Sequence, residues 1–101
     1  MKKTIFRNLV KRLGNDVAEF GNIGFQANYR NYRLSFYQYY DEFTIEDCGC
    51  DLKGKWIEIQ LTQEQIEVLK GIIIEKENEL LEAQEYERRL EIENENDYFE
   101  Y

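Results

Sequence analysis

Carboxylates carry most of the ionisable chemistry in this chain, and they are unevenly placed. Residues 1–40 hold seven bases and two acids, a net +5, whereas residues 41–101 hold six bases and nineteen acids, a net −13; together these give the formal charge of −8. Asymmetry of this kind bears on partners, because it sets up a field that attracts opposite charge from a distance and weakens with salt. Eleven of the acids lie between Glu75 and Glu100, with Lys76, Arg88 and Arg89 as the bases among them. On a helix Glu75, Glu79 and Glu82 fall on one side. Carboxylates at such intervals imitate the phosphates of a nucleic acid and compete for a basic groove. With Asp41, Glu42, Glu46, Asp47 and Asp51 from the strand connections, these three glutamates form the expected partner-binding set. The plainer reading is a solvated acidic face that keeps the helix soluble, with the basic helix lying near the acidic one and neutralising part of it.

A second pattern interleaves aromatics with arginines between Tyr29 and Tyr40, as a sheet that stacks bases and holds phosphates does. With a period of two, Tyr32, Leu34, Phe36 and Tyr40 fall on a core face, leaving Arg33, Tyr37 and Tyr39 outward. Arg30, Arg33, Tyr37 and Tyr39 are therefore the expected residues of an alternative nucleic-acid-binding surface. Two facts oppose it: cross-strand tyrosines are ordinary sheet stabilisers, and the net charge of −8 repels a polyanion.

Cys48 and Cys50 offer two thiolates, but structural zinc takes four ligands and the chain has no histidine and no third cysteine to complete them. The expectation is no metal and no cofactor, with both thiols in a connection around Gly49. A chain without histidine also lacks the commonest general base. The glycines form neither a Walker loop nor a dinucleotide fingerprint, and no nucleophile stands beside a base. The expected protein is not an enzyme.

The elements that must position these groups are legible from periodicity. Ile5, Phe6, Leu9, Val10 and Leu13 make one apolar stripe of a helix over residues 2–13, ended by Gly14-Asn15; Lys2, Lys3, Arg7, Lys11 and Arg12 cover its other face. From about Val17 the period becomes two. Strands are expected at Ile23–Tyr29, Tyr32–Tyr40, Glu42–Asp47 and Lys55–Leu61. Asn31 sits in the first tight turn, Gly21 and Gly24 mark a loop or bulge, and residues 48–54 make the last connection. In the fourth strand Ile57, Ile59 and Leu61 point inward against Trp56, Glu58 and Gln60 outward. Short links favour an antiparallel meander. Thr62-Gln63-Glu64-Gln65 fits a capping box and opens a second helix with its stripe at Ile66, Leu69, Ile73 and Leu80. The order is α-β-β-β-β-α, an α+β fold with residues 1–91 as one domain and 92–101 as an acidic aromatic tail in which Tyr98, Phe99 and Tyr101 are candidate anchors.

Apolar residues at 43% and aromatics at 15% exceed what a disordered chain carries. No run approaches the roughly 20 apolar residues of a membrane span, and the stretch Met1–Arg7 turns charged again before the apolar region of an export signal develops, so neither export nor membrane insertion is expected. Two cysteines are too few for a secreted disulfide framework. A cytoplasmic protein, of a bacterium or a phage-infected cell, is expected. Small size, acidity and a Lys/Asn/Glu/Ile/Tyr-rich composition resemble, in type, the small inhibitors encoded by phages and other mobile elements, including anti-CRISPR and DNA-mimic proteins. The resemblance implies a protein partner with a basic surface, such as a defence nuclease or another nucleic-acid-binding protein. A structural homodimer or adaptor is the other class, because Ile66, Leu69, Ile73 and Leu80 approach heptad spacing.

Overall fold

The computed structural model describes residues 1–19 and 21–99, with side chains through Ala83. The chain runs α1 (Lys3–Lys11), β1 (Gly14–Glu19), β2 (Asn22–Tyr29), β3 (Tyr32–Tyr39), β4 (Glu42–Leu52), β5 (Lys55–Glu58) and α2 (Gln63–Phe99). The strands form one sheet in the order β1-β2-β3-β4-β5, each neighbouring pair antiparallel. The α+β class, the meander and the flanking helices match the sequence reading, with five strands in place of four.

The additional strand, β1, has the sequence GNDVAE, poor in β-formers, so periodicity gave no sign of it. Its pairing with β2 shifts between Asn15 and Val17, a bulge at Asp16. Asn15 mends the interrupted ladder: its amide Nδ2 donates to the carbonyls of Val17 at 3.0 Å and Gly24 at 2.9 Å. Gly21 follows in the β1–β2 turn at φ 83°, where a Cβ would lie 3.0 Å from the ring of Tyr40. Tyr40 itself corrects an expectation. It is no core residue; β3 ends at Tyr39, and Tyr40 turns the chain at φ 56°, 64% exposed, with its N–H donating to Gly21 O at 2.7 Å.

Residues 48–52 also differ from the sequence reading, which made them a loop. They continue β4, and the chain turns instead at Lys53-Gly54 between the paired residues Leu52 and Lys55. Gly49 lies opposite Arg33 on one side and Glu58 on the other, and a Cβ there would collide with the Ile57 carbonyl of β5. The glycine marks a close approach of backbones within a strand. β5 is shorter than expected, and Ile57 is 43% exposed.

The apolar faces meet on one side of the sheet. Phe6 and Leu9 of α1, Ile23 and Ala27 of β2, Leu34 and Phe36 of β3, and Leu69 and Ile73 of α2 form a single buried cluster. Full burial of a side chain such as Leu34 or Ile73 stabilises by about 1.5–3 kcal/mol. The helices are sewn together at their starts. In α2 the capping box forms as expected: Gln65 N–H donates to Thr62 Oγ1 at 3.2 Å, and Thr62 N–H to Gln65 Oε1 at 3.0 Å. Buried Gln65 also donates through Nε2 to the Met1 carbonyl at 2.8 Å, while the Met1 ammonium donates to Gln60 O at 2.8 Å. Leu80 still packs on the core. The expected role of the aromatic tail falls outside the described side chains.

Replacing Gly49 by alanine forces β5 away from β4. Urea unfolding of Gly49→Ala is expected to show a loss of about 1–3 kcal/mol, the usual scale of overpacking, with Trp56 fluorescence changed in the folded baseline.

Candidate functional site

Because both helices pack on one face of the sheet, its opposite face is open. Pleat alternation places Arg33, Ser35, Tyr37 and Tyr39 there, opposite in direction to buried Leu34 and Phe36. Register then decides their neighbours. Arg33 lies between Asn28 and Gly49, Ser35 between Gln26 and Asp47, Tyr37 between Gly24 and Thr44, and Tyr39 between Asn22 and Glu42. The β4 pairing shifts at Ser35/Phe36, so that Glu46 is a bulged residue, and Ser35 Oγ donates to Glu46 Oε2 at 3.4 Å. On β5, Trp56 pairs with Asp51, and Glu58 with Gly49.

The open face therefore holds Glu19, Glu42, Glu46, Asp47, Asp51 and Glu58 beside Tyr37, Tyr39 and Trp56. Arg33 is the base that the described strand residues place on it; Lys55, paired with Leu52, alternates to the other face. Two sets of residues that the sequence analysis kept apart, the β4 acids and the outward Arg33, Tyr37 and Tyr39, share one surface. Tyr39 and Trp56 are 54% and 42% exposed, which leaves their rings available to a partner. Aromatic faces attract cations, and carboxylates form charge-assisted hydrogen bonds with guanidinium and ammonium groups. The same carboxylates repel a phosphate chain laid along the tyrosines.

The rest of the expected acidic set is scattered. Asp41 sits in the β3–β4 turn, and Asp51 lies near the other end of the sheet: nine residues of strand separate Glu42 from Asp51, about 30 Å. Glu75, Glu79 and Glu82 are exposed on α2. Their axial rises are about 6 and 4.5 Å, wider than the ~3.4 Å between phosphates along one strand of a duplex. Glu79 is also partly neutralised by Lys76, Nζ to Oε2 3.2 Å. That contact is the one ion pair among the described residues, so the basic face of α1 is not bridged to described acids of α2. Among the described residues the basic helix and the acidic helix are coupled through their fields rather than by ion pairs.

Arg30, the fourth residue of the alternative set, stands in the β2–β3 turn at φ 55°. Its guanidinium lies 5.3 Å from the centroid of the Tyr29 ring, which Arg12 approaches to 4.7 Å. This Arg12–Tyr29–Arg30 stack leaves no trace in the sequence, because nothing along the chain relates α1 to the turn. Alternation reads Trp56 and Glu58 as outward without linking them to Arg33 and Asp51, a relation only strand register supplies.

Cys48 and Cys50 are free thiols, the second buried. They alternate with Gly49 and so face the core side, which replaces the expected loop setting. No cluster of three or more potential metal ligands occurs among the described residues, and no helix is long and apolar enough to cross a membrane. Burial pushes the Cys48 thiol up from its ordinary value; the N-terminal ammonium opposes this and Glu58 adds to it.

Comparison with known families, curated proteins and solved structures finds no match. The open face must be interpreted from its own chemistry.

A raised thiol pKa stabilises the folded state below the ordinary cysteine value and loses that contribution as pH climbs through the folded value, because the unfolded chain ionises first. Stability in urea is therefore expected to begin to decline as pH rises past the ordinary thiol value of about 8.5, and to decline less in Cys48→Ala; parallel curves for the two proteins count against the burial effect.

Proposed function

We propose that this chain is a non-enzymatic binding protein that grips a cationic protein surface on the open face of its sheet. The observation that carries the reading is the composition of that face: among the described residues, six carboxylates interspersed with three aromatic rings and one arginine, with both helices packed on the other side. Carboxylates draw a basic partner in from a distance and discriminate against acidic ones. Once in contact, Tyr37, Tyr39 and Trp56 supply the desolvated anchor that charge alone lacks, since aromatic residues dominate binding energy at interfaces. Nucleic-acid-binding proteins present such a basic surface to phosphates, and a protein seated there acts as an inhibitor. Glu75, Glu79 and Glu82 widen the attractive field from the other side of the fold.

A second reading, single-stranded nucleic acid stacked on the sheet, is supported by the common orientation of Arg33, Tyr37 and Tyr39. The carboxylates among them weigh against it.

The test is affinity capture from native lysate over a salt series, with nuclease-treated controls, followed by measurement on the purified partner. Combined Glu46→Gln, Asp47→Asn and Glu58→Gln substitutions are expected to weaken binding about tenfold or more near 0.15 M salt and to flatten its salt dependence. The Glu75→Gln, Glu79→Gln, Glu82→Gln protein should lose less. Unchanged affinity in the first variant sinks the sheet-face reading. A gel shift of single-stranded DNA or RNA that Arg33→Ala or Tyr37→Ala abolishes makes the second reading the better one.

A further inference from the structure

One end of the open face reverses its charge. There the β2–β3 turn and the β4–β5 turn come together, held by two hydrogen bonds: Asp51 N–H donates to Asn31 O at 2.9 Å, and Asn31 Nδ2 donates to Asp51 O at 2.9 Å. Between the stitched tips lies a cleft of about 480 Å³ lined by Asn28, Arg30, Arg33, Asp51, Lys53 and Trp56, among others. Three cations stand against one acid, on a face otherwise dominated by carboxylates. The volume falls in the range of small-molecule sites, about 300–1,000 Å³.

The side chains in the cleft are set for a planar anion. Trp56 presents an indole that is 42% exposed on a strand at the sheet edge. The Arg33 guanidinium reaches over it, 6.0 Å from the ring centroid, and its Nε donates to Asn28 Oδ1 at 3.4 Å. Gly49 is the residue of β4 directly between Arg33 and β5, so no side chain rises to separate them. Lys53 stands at positive φ in the β4–β5 turn, whereas the Arg30 guanidinium is held over the Tyr29 ring.

We propose that this cleft binds a mononucleotide, its base stacked on Trp56 and its phosphate held by Arg33 and Lys53. The Asn28 amide stands within the cleft to meet a polar edge of the base. Each part answers one feature of the ligand: an aromatic face for a ring, a fork of cations for a phosphate, and an amide for hydrogen bonding. The ligand is a single nucleotide rather than a strand. A polynucleotide continuing along the sheet from this end meets Asp47, Glu46 and then Glu42, whose charges repel its phosphates. Trp56 and Asp51 belong to both surfaces, but the cleft's cations draw the opposite charge, so a nucleotide titration tests this proposal without the cationic partner.

Trp56 is the one tryptophan of the chain, and its indole N–H gives a single cross-peak in a proton–nitrogen correlation spectrum. The test titrates the full-length protein with nucleoside 5′-monophosphates, and in separate arms with the nucleosides, with inorganic phosphate and with a short single-stranded oligonucleotide. The monophosphates are expected to move the Trp56 peak saturably with a Kd on the order of 1 mM or tighter. Nucleoside or phosphate alone should bind at least about tenfold more weakly, because each loses either the charge or the stacking contribution. Lys53→Gln and Arg33→Gln, checked for an unchanged spectrum elsewhere, should weaken monophosphate binding by a similar factor while leaving nucleoside binding in place. Three results overturn the proposal: no saturable shift with any monophosphate, equal binding of inorganic phosphate alone, or tighter binding of the oligonucleotide than of its monomer.

Discussion

One-sided burial governs this protein. A chain of 101 residues can cover only part of the surface that its five strands expose, and the two helices place their apolar stripes on the same side of the sheet. Leu9, Leu34, Phe36, Leu69 and Ile73, the largest fully buried side chains, close that single core. Everything available to a partner follows from which side chains the pleat sends the other way. Had α2 crossed the opposite face, Tyr37 and Trp56 would be core and Cys50 would be surface.

The fixed ends of the core make the open face a stable platform. Gln65 joins the capping box of α2 to the first residue of the chain through the Met1 carbonyl, so both helices are anchored at one place. On the sheet, the Asn31–Asp51 hydrogen bonds tie two turns that lie twenty residues apart. Bulges at Asp16 and Glu46 adjust the twist of β1 and β4 without ending them, and bulges commonly re-aim side chains where strands carry function. Ordering imposed in advance lowers the entropy lost when a partner docks.

Charge and fold are separated in the same way. The core uses almost no ionic contacts; Lys76–Glu79, the ion pair among the described residues, is exposed and contributes little. The bases of α1 gather on the helix side, the strand acids gather on the open side, and the cations of the two turns gather at one end. Net charge alone suggested solubility or attraction to a basic surface. Its distribution separates a broad acidic face from a small cationic cleft, two surfaces of opposite charge.

Local features could be read directly along the chain. The stripe at Phe6 and Leu9, the alternation through β2 and β3, and the Thr62–Gln65 box are short-range patterns whose physical cause lies within a few residues, and each is legible without the fold. Arg33, Tyr37 and Tyr39 could be called outward for the same reason. β1 was hidden because its residues have little strand preference and it exists only through pairing with β2. The continuation of β4 through Cys48-Gly49-Cys50 was hidden because a glycine between cysteines looks like a turn until β5 is seen to need the space. Register decided the rest. It set the β4 acids and Glu58 beside the tyrosines, and brought Trp56 to Arg33 across Gly49, because contacts between strands depend on pairing over long separations and leave no periodic trace along the chain.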